Sequence, residues 1–507
     1  MSSAKEPVTR RFGNGLTVLI KEDKSHPVVS LQYWVGTGSM NEGHWQGSGL
    51  SHLLEHLVFK GTAHFSGQEL ARKVQERGGH WNAYTSVNRT VYYIDGPAES
   101  WQIFLNLLTE LVFFPTFPED EMEREKEVVR REMAMYADDP DSVAYQLLMQ
   151  TLYLKHPRRW PVLGERAAFD CLTRQDVLDY HASRYVPNNV VLSIAGDVDA
   201  AEILSHLELL VEDLKSRPLN REPIPHEPHQ FGSRRVRKEF AVPYSKLHLA
   251  WRLPCSAHPD TPALSALSSI LGGGRSARFY EKFHDRLGLV YSIEVHSNQS
   301  ETDEGAFTIS MDVDRAQRDK VRDLVLQELR NLAEEDFTED LKRVCKQTRV
   351  SRLRRRSSAS GVASEMGADW FGSRNLNLSS EWQEAIERVT TEDLHRVCST
   401  WLSSPNVTEV SLDPPGSNAG DEERASASAG TALSEHVLGN GMKVVIREDH
   451  RLPLAYACMA FKAGCRAENE HDAGVTDLMS ECLLKGTSTR SAADIARFLE
   501  SHQHVHR

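Results

Sequence analysis

The chain of 507 residues contains no apolar run that approaches the ~20 residues of a membrane-spanning helix. Its first residues, MSSAKEPV, lack the hydrophobic core of a secretory signal peptide. The seven cysteines are odd in number and form no CxxC pair, which argues against a disulfide framework or a zinc knuckle. These absences predict a cytoplasmic protein without a membrane anchor, whose thiols are reduced.

Positive charge is also scarce. The chain carries 59 lysines and arginines against 72 acidic residues, a formal net charge of −13. A nucleic-acid-binding protein needs a basic surface, so this balance argues against that class. The 40% hydrophobic and 26% charged residues are typical of a soluble globular protein, and 507 residues exceed what one hydrophobic core holds. We therefore expect two or three domains.

Strand-like and helix-like patterns alternate without a regular βαβ order. Runs rich in β-branched and aromatic residues predict strands at 8–23 (with a GNG turn), 28–37, 81–85, 90–94, 246–252 and 306–313. Apolar residues at helical spacing predict helices at 51–58 and 119–136. Together these patterns predict an α+β fold of repeated layered domains, in which antiparallel-rich sheets pack against helices.

Two linker-like segments divide the chain. One is rich in Pro, His and Arg, and the other in Pro, Gly, Ser, Ala and acidic residues; they span 216–235 and 414–432. They separate a first domain at 1–215, a second α+β domain at 236–413 and a final segment at 433–507. That segment begins as a copy of the first domain, because LGNGMKVVIRED near its start matches FGNGLTVLIKED near the start of the chain.

The run HLLEH at 52–56 carries the pattern that a catalytic zinc site needs. Residues four apart lie on one face of a helix, so His52 and His56 can offer two imidazole nitrogens to one zinc ion per chain. Glu55 faces nearly the same way and can take a proton from a water molecule whose pKa the zinc has lowered to roughly 7. It can then return the proton to the leaving amine of a peptide. The alternative is a polar helix face with two unrelated histidines.

A catalytic zinc ion usually has a third protein ligand. The predicted helix at 119–136 offers four candidates, Glu123, Glu125, Glu127 and Glu132. Most of these must be ordinary solvated charges on a helix, and periodicity does not choose among them.

The final segment lacks this pattern. Aligning LKGT at 484–487 with FKGT at 59–62 puts Asp477, Ser480 and Glu481 opposite the two histidines and the glutamate of HLLEH. The sequence also ends before a counterpart of the strand pair at 81–94, which would leave an open sheet edge. We expect 433–507 to be an incomplete, degenerate repeat of the first domain, in a chain that is a truncated product or half of a longer design.

Several runs together resemble the M16 zinc peptidases, the pitrilysin, insulinase and mitochondrial-processing-peptidase family, whose motif is the inverted HxxEH. The resemblance covers essentially the whole chain, and the runs that carry it are HLLEHLVFKGT at 52–62, GGHWNAYTS at 78–86, EREKEVVRREM at 123–133, DDP at 138–140 and GLVYS at 288–292. A repeat whose second copy is degenerate is also a habit of this family. The resemblance implies an M16-type α+β fold and a zinc-dependent endopeptidase.

By the same resemblance, the third zinc ligand is Glu132. Glu125 matches a second glutamate of the family that supports the site from outside the ligand set, and with Glu55 it is a predicted catalytic residue. The family lays an extended substrate along an edge strand, and the residues that match this strand are Asn82, Ala83 and Tyr84. The alternative for this segment is an ordinary edge strand.

Enzymes of this family close two large halves around a peptide or unfolded polypeptide. A second copy of the chain or a partner chain is therefore expected to supply the closing half, with neither nucleic acid nor membrane as a partner. Tyr291 matches a substrate-contacting tyrosine of the far half, but His284 stands where that half has an arginine, and Arg286 lies nearby. We expect Tyr291 to be a packed core residue. The rival function is a non-catalytic structural or partner subunit, or an enzyme inactive without its second half.

Overall fold

The computed structural model of the protein describes residues 6–219, 223–299, 304–402, 405–416, 434–446, 474–483 and 485–491, with 459, 468 and 494–495. Residues up to 422 form one compact unit and those from 423 onward a second. Within the first unit, two halves of similar build follow each other, which we call the first lobe (6–219) and the second lobe (223–416). None of the described helices is long and apolar enough to cross a membrane.

The first lobe is built on a six-stranded sheet. Its strands are β1 (Val8–Arg11), β2 (Thr17–Glu22), β3 (Val28–Val35), β4 (His80–Thr85), β5 (Thr90–Pro97) and β6 (Val190–Gly196). They lie in the order β1-β2-β6-β3-β5-β4; β2 and β6 are parallel and every other pair is antiparallel. The GNG turn joins β1 to β2 because Gly15 adopts a φ of 90° and Asn14 Oδ1 accepts the Leu16 N–H. None of the described strands pairs with the outer edge of β4.

Eight helices accompany this sheet, and their bounds are α1 (Leu50–Val58), α2 (Gly67–Gln75), α3 (Trp101–Phe113), α4 (Glu119–Asp138), α5 (Pro140–Leu152), α6 (Arg166–Asp170), α7 (Arg174–Arg184) and α8 (Ala200–Leu210). Apolar side chains of α1, α3, α7 and α8 form the main core against one face of the sheet. Helix α4 passes almost directly into α5. Pro140 starts the new helix, and Asp139 caps it by accepting the Ser142 N–H at 2.9 Å.

The second lobe repeats this topology. Its strands are β7 (Arg234–Glu239), β8 (Ser245–Leu253), β9 (Val290–Asn298), β10 (Gly305–Val313) and β11 (Thr408–Asp413), in the order β7-β11-β8-β10-β9. Only β7 and β11 are parallel. The strand order and directions therefore match those of the five strands β2-β6-β3-β5-β4 in the first sheet. Its helices are α9 (Thr261–Gly272), α10 (Arg318–Asn331), α11 (Thr338–Arg355), α12 (Ala359–Ser373), α13 (Leu378–Glu387) and α14 (Thr391–Val397). The predicted α+β class, with layered antiparallel-rich sheets, is confirmed.

Each lobe covers one face of the other lobe's sheet with a helix. Helix α12 lays Val362, Ala363 and Met366 on the outer face of the first sheet, where Trp34 is buried. In return α5 lays Leu148, Met149 and Leu152 on the second sheet, against Ala250 and Val410. Because each buried side chain of this size contributes ~1.5–3 kcal/mol, these contacts hold the two lobes together as one body.

The expectation that Tyr291 packs in the core is wrong. Its side chain is 61% exposed on β9, and its ring lies beside that of Tyr244, with 5.3 Å between the centroids. The reason is that β9 is an edge strand, whose residues alternate between the core under α9 and solvent. His284 and Arg286 lie in a short π-helical turn and pair with the neighbouring acids Asp285 and Glu281.

The second unit contains a hairpin of β12 (Ser434–Val437) and β13 (Lys443–Ile446), and a helix, α15 (Val475–Cys482). The hairpin turn reproduces that between β1 and β2: Gly441 has a φ of 83° and Asn440 Oδ1 accepts the Met442 N–H. Residues 417–432 of the predicted linker lie outside the described residues, as do 496–507. Of the three residues aligned with the histidines and glutamate of HLLEH, two (Asp477 and Glu481) have side chains that also lie outside the described part of the structure.

The contact between α12 and Trp34 gives a test of the lobe interface. A Cβ added at Gly367 would lie 2.3 Å from Trp34 Cε2, on a rigid buried ring. We expect Gly367→Ala to lower the free energy of unfolding by ~1–3 kcal/mol through overpacking, although alanine favours helices. Urea denaturation measures the change. In the double variant with Trp34→Phe, the smaller ring should leave room for the added methyl group and recover part of the loss. If the two changes in the free energy of unfolding were simply additive, this packing would be contradicted.

Candidate metal centre

Helix α1 presents the HLLEH run to a cleft because its other side is anchored in the core. Leu50, Leu53, Leu54 and Leu57 are completely buried, so the polar residues of the run share the remaining face. The helix begins at Gly49, which has a φ of 73° and lies so close to Leu163 O that a Cβ would approach it within 2.0 Å. The position of the helix start is therefore fixed by a contact that only glycine allows.

The structure brings together three of the predicted residues. Nε2 of His52 and Nε2 of His56 each lie 3.8 Å from the Glu132 carboxylate, and the three ligand atoms all lie within 4.8 Å of one another. The histidines come from α1 and the glutamate from α4. In the part of the chain that the structure describes, this is the one group of three or more such side chains arranged closely enough to hold a metal ion.

Metal binding requires neutral imidazole rings, and the surroundings act differently on the two histidines. Burial, with a smaller contribution from the neighbouring ring of His56, lowers the pKa of His52 to about 3. Burial also acts to lower the pKa of His56, but its hydrogen bond with Glu125 and the Glu132 charge outweigh this and raise it. Since a carboxylate only accepts, His56 Nδ1 carries the hydrogen of that bond; in the neutral ring, Nε2 then has the free electron pair that a metal ion needs.

Glu55 lies beside the cluster and is held by Thr85 at the end of β4. Thr85 Oγ1 donates a hydrogen bond of 2.5 Å to Glu55 Oε2. Burial raises the pKa of Glu55, and the bond from Thr85 opposes this rise by favouring the charged carboxylate. The raised pKa brings Glu55 closer than an ordinary carboxylate to a group that can both take up and return a proton.

Glu125 lies on the far side of the His56 ring and not among the three clustered ligand atoms. Its Oε2 accepts from His56 Nδ1 at 3.1 Å, and its Oε1 lies 2.6 Å from Lys60 Nζ. Burial acts to raise the pKa of Glu125, but the bonds with His56 and Lys60 outweigh it and lower the pKa. Lys60 and Thr85 were not among the predicted site residues, although they stand in the runs HLLEHLVFKGT and GGHWNAYTS.

The strand predicted to receive a substrate is an exposed edge. Strand β4 is bonded to β5 on one side and to no described strand on the other. The Ala83 N–H donates to Asn82 Oδ1 at 2.9 Å, so this backbone donor is satisfied by a side chain that another acceptor can displace. Tyr84 is 39% exposed and its ring meets that of Trp34 edge-on.

The three clustered side chains fit zinc. Two imidazole nitrogens and one carboxylate oxygen are a donor set of catalytic zinc sites, which leave a further position for water or substrate. Ligand atoms on a tetrahedral zinc ion with bonds of ~2.0–2.1 Å are about 3.3 Å apart, so small side-chain rotations suffice to bring these atoms into range. One feature is unusual among such sites: His52 Nδ1 is buried and has no hydrogen-bond partner among the residues that the structure describes.

The chain belongs to the M16 peptidase family. Residues 17–166 and 443–504 match the family description "Insulinase (Peptidase family M16)", and residues 172–347 match "Peptidase M16 inactive domain". The same description thus matches the start of the first lobe and part of the second unit. A protein of Mycobacterium tuberculosis named an uncharacterized zinc protease is 30% identical over 299 residues, which cover 58% of this chain and 67% of that protein.

Longer matches cover the two lobes together. An uncharacterized zinc protease of Rickettsia felis is 27% identical over 78% of this chain and 94% of its own length. The zinc protease PqqE of Helicobacter pylori is 26% identical over 81% of this chain and 93% of its own length. The crystal structure of a protease from Helicobacter pylori superposes with a TM-score of 0.74 at 26% identity, over 81% of this chain and 100% of that one.

A buried acid near the start of α1 predicts a pH dependence of stability. Glu42 is fully buried and accepts the Ser51 N–H at 2.9 Å, and burial raises its pKa to about 8 from the ordinary 4.5. Between these two values the folded state binds more protons than the unfolded state, so the free energy of unfolding should fall as the pH rises. The slope from this group is at most ~1.4 kcal/mol per pH unit.

Urea denaturation across this pH range measures the slope. Glu42→Gln cannot ionise, so we expect a flatter profile and a stability gain over wild type that is largest at alkaline pH. Parallel profiles for the two proteins would show that Glu42 does not titrate with the raised pKa.

Proposed function

We propose that this chain is a zinc-dependent metalloendopeptidase that hydrolyses peptide bonds in extended or unstructured peptides. The observation that carries the proposal is the convergence of His52, His56 and Glu132, with Glu55 beside them at the end of an open edge strand. The first three would hold one zinc ion. The relatives' names support the metal and the reaction class, since they are called zinc proteases.

A zinc ion bound here would polarise the peptide carbonyl and lower the pKa of a water molecule. The remaining chemistry belongs to the chain. Glu55 takes a proton from the attacking water and delivers it to the amine that leaves when the peptide bond breaks. Thr85 Oγ1 donates to Glu55 Oε2 and so holds this carboxylate in place for the transfer. Glu125 holds the His56 ring in place through Nδ1.

The substrate binds as an additional strand next to β4. Asn82, Ala83 and Tyr84 would offer backbone groups to an extended peptide, which continues the sheet at its open edge. Since Thr85 of the same strand holds Glu55, a peptide aligned on β4 runs past the general base. Folded substrates cannot present such a strand, which is why extended or unstructured peptides fit.

The proposal includes a closing partner and a reducing compartment. Glu132 is 33% exposed and Tyr84 39% exposed, so the cleft is open on one side. A second copy of the chain or a partner chain would close it and exclude water, which strengthens the electrostatic interactions inside. The cysteines that the structure describes at 171, 255, 345, 398 and 482 are all free thiols, which suits the cytoplasm.

Two variants separate metal binding from catalysis. We expect Glu55→Gln to keep zinc and to lower kcat by ~10²–10⁴-fold, since the amide cannot accept the proton. We expect His52→Ala to lose both the metal and the activity. Cleavage of a mixed pool of unstructured peptides, with and without chelator, and zinc content by elemental analysis measure both effects.

The matched control is Glu123→Gln, which makes the same chemical change at an exposed site on α4 and should cleave like wild type. Undiminished, chelator-sensitive cleavage by Glu55→Gln would refute the role of Glu55. A second candidate function is a non-catalytic partner subunit, which the match of residues 172–347 to an inactive domain favours. Bound zinc without cleavage in any variant would support that candidate.

The edge-strand contact is tested by removing one backbone donor. Proline at position 83 has no N–H, and edge strands tolerate proline where the N–H faces away from the sheet. We expect Ala83→Pro to lower kcat/KM about 5–10-fold, the value of roughly one hydrogen bond, with the zinc content unchanged. Ala83→Ser keeps the donor and is the control. Equal kcat/KM for all three proteins would argue against strand addition at β4.

A further inference from the structure

Lys60 lies just beyond the end of α1, four residues after His56 and outside the three clustered ligands. The helix ends at Val58, and the Lys60 N–H bonds to Leu57 O, which turns the side chain towards α4. Its Nζ lies 2.6 Å from Glu125 Oε1, and its side chain is 29% exposed. The ammonium group of this partly buried lysine is thus paired with the carboxylate of Glu125.

Glu125 connects this lysine to the His56 ring. Its side chain is 9% exposed, and each carboxylate oxygen has one partner: Oε1 meets Lys60, and Oε2 meets His56 Nδ1 at 3.1 Å. Two fixed oxygens define the plane and the tilt of the carboxylate. That tilt in turn fixes the ring of His56, whose Nε2 faces Glu132.

The other histidine has no such support. Nδ1 of His52 is buried and without a hydrogen-bond partner, so no described side chain orients that ring from behind. Of the two histidines, His56 is therefore the one whose ring is oriented by described side chains, through the contacts that run from Lys60 through Glu125. Loss of its outer member would leave a buried carboxylate without a counter-charge and free to turn.

We propose that Lys60 is a positioning residue for the metal centre, which acts through Glu125 to hold His56 in its ligating orientation. The salt bridge keeps the Glu125 carboxylate on the Nδ1 side of the ring and away from the three ligand atoms. The site then retains three protein ligands and an open position. This inference rests on the proposed metal site but not on peptide cleavage.

Zinc affinity of the full chain is the direct readout. Apo-protein is titrated with zinc in competition with a chromogenic chelator, at fixed pH. Methionine matches the length of lysine without its charge, so we expect Lys60→Met to weaken zinc binding by ~10–100-fold, the usual effect of losing an outer partner of a metal ligand. Lys60→Arg keeps the charge and should restore most of the affinity.

A double-variant comparison tests the route through Glu125. In a Glu125→Gln background the relay is already broken, so adding Lys60→Met should cost no further affinity. The matched control is Lys282→Met, because Lys282 also pairs with a glutamate, Glu328, but far from the metal centre in the second lobe. It should bind zinc like wild type.

A purely structural role would give a different result. A cation near the end of α1 could stabilise that helix through its dipole, and Lys60→Met would then lower the thermal stability of the apo-protein without changing zinc affinity. That outcome, or an equal loss of affinity with and without Glu125, overturns the proposal. If Lys60→Met weakens zinc binding but the wild-type chain cleaves no peptide, the positioning role of Lys60 is supported and the proposed peptidase activity alone is refuted.

Discussion

The exchange of helices between the lobes is the constraint on which the metal centre depends. Each sheet buries one face under helices of its own lobe and the other under a helix of its neighbour, α12 in one direction and α5 in the other. Helix α5 follows α4 after a break at Asp139. The helix that carries Glu132 is therefore anchored at its C-terminal end by the second lobe, while the two histidines belong wholly to the first.

This arrangement explains why the site needs both lobes although all its side chains come from one. Helix α1 is fixed by four buried leucines and by the close approach of Gly49 to Leu163. Helix α4 has a shorter buried face, with Met122 and Val129 its buried apolar side chains. Its position is completed by the packing of α5 on the second sheet, so the distance between Glu132 and the histidines depends on the lobe interface.

The same packing leaves the β4 edge open. The sheet faces are covered by α12 and by the first lobe's own helices, but nothing among the described residues pairs with the outer side of β4. An unpaired edge is normally a risk of aggregation. Here the edge strand reaches Glu55 through Thr85, and the Ala83 N–H donates a hydrogen bond to Asn82 Oδ1. The bond from the Ala83 N–H to the Asn82 side chain thus protects the edge at which the proposed function places an incoming strand.

Much of the local structure follows from sequence pattern. The strands β4 and β5 could be predicted from their β-branched and aromatic residues, the first hairpin from its GNG turn, and the helix at 119–136 from its helical spacing. The exchange of α5 and α12 could not, since an apolar helix face does not reveal its partner. Tyr291 was misjudged for a related reason: an aromatic residue in a strand is buried or exposed according to which face is covered.

In the proposed metal site, the choice between Glu125 and Glu132 as third ligand depends on the fold and not on the residue pattern. Glu125 and Glu132 are seven residues apart, so both face α1, and spacing cannot distinguish them. Resemblance to the M16 family pointed to Glu132. The structure supplies a physical reason for this choice. The carboxylate of Glu125 is bonded to Lys60 and to Nδ1 of His56, whereas that of Glu132 faces the Nε2 atoms of both histidines.

A crystal structure of the zinc-loaded chain, with anomalous data collected on both sides of the zinc absorption edge, tests the central claim most directly. The account predicts one anomalous peak per chain within bonding distance of His52 Nε2, His56 Nε2 and the Glu132 carboxylate, with Glu125 still joined to Lys60. A chain without zinc at this position, or a zinc ion bound by Glu125 in place of Glu132, would contradict it.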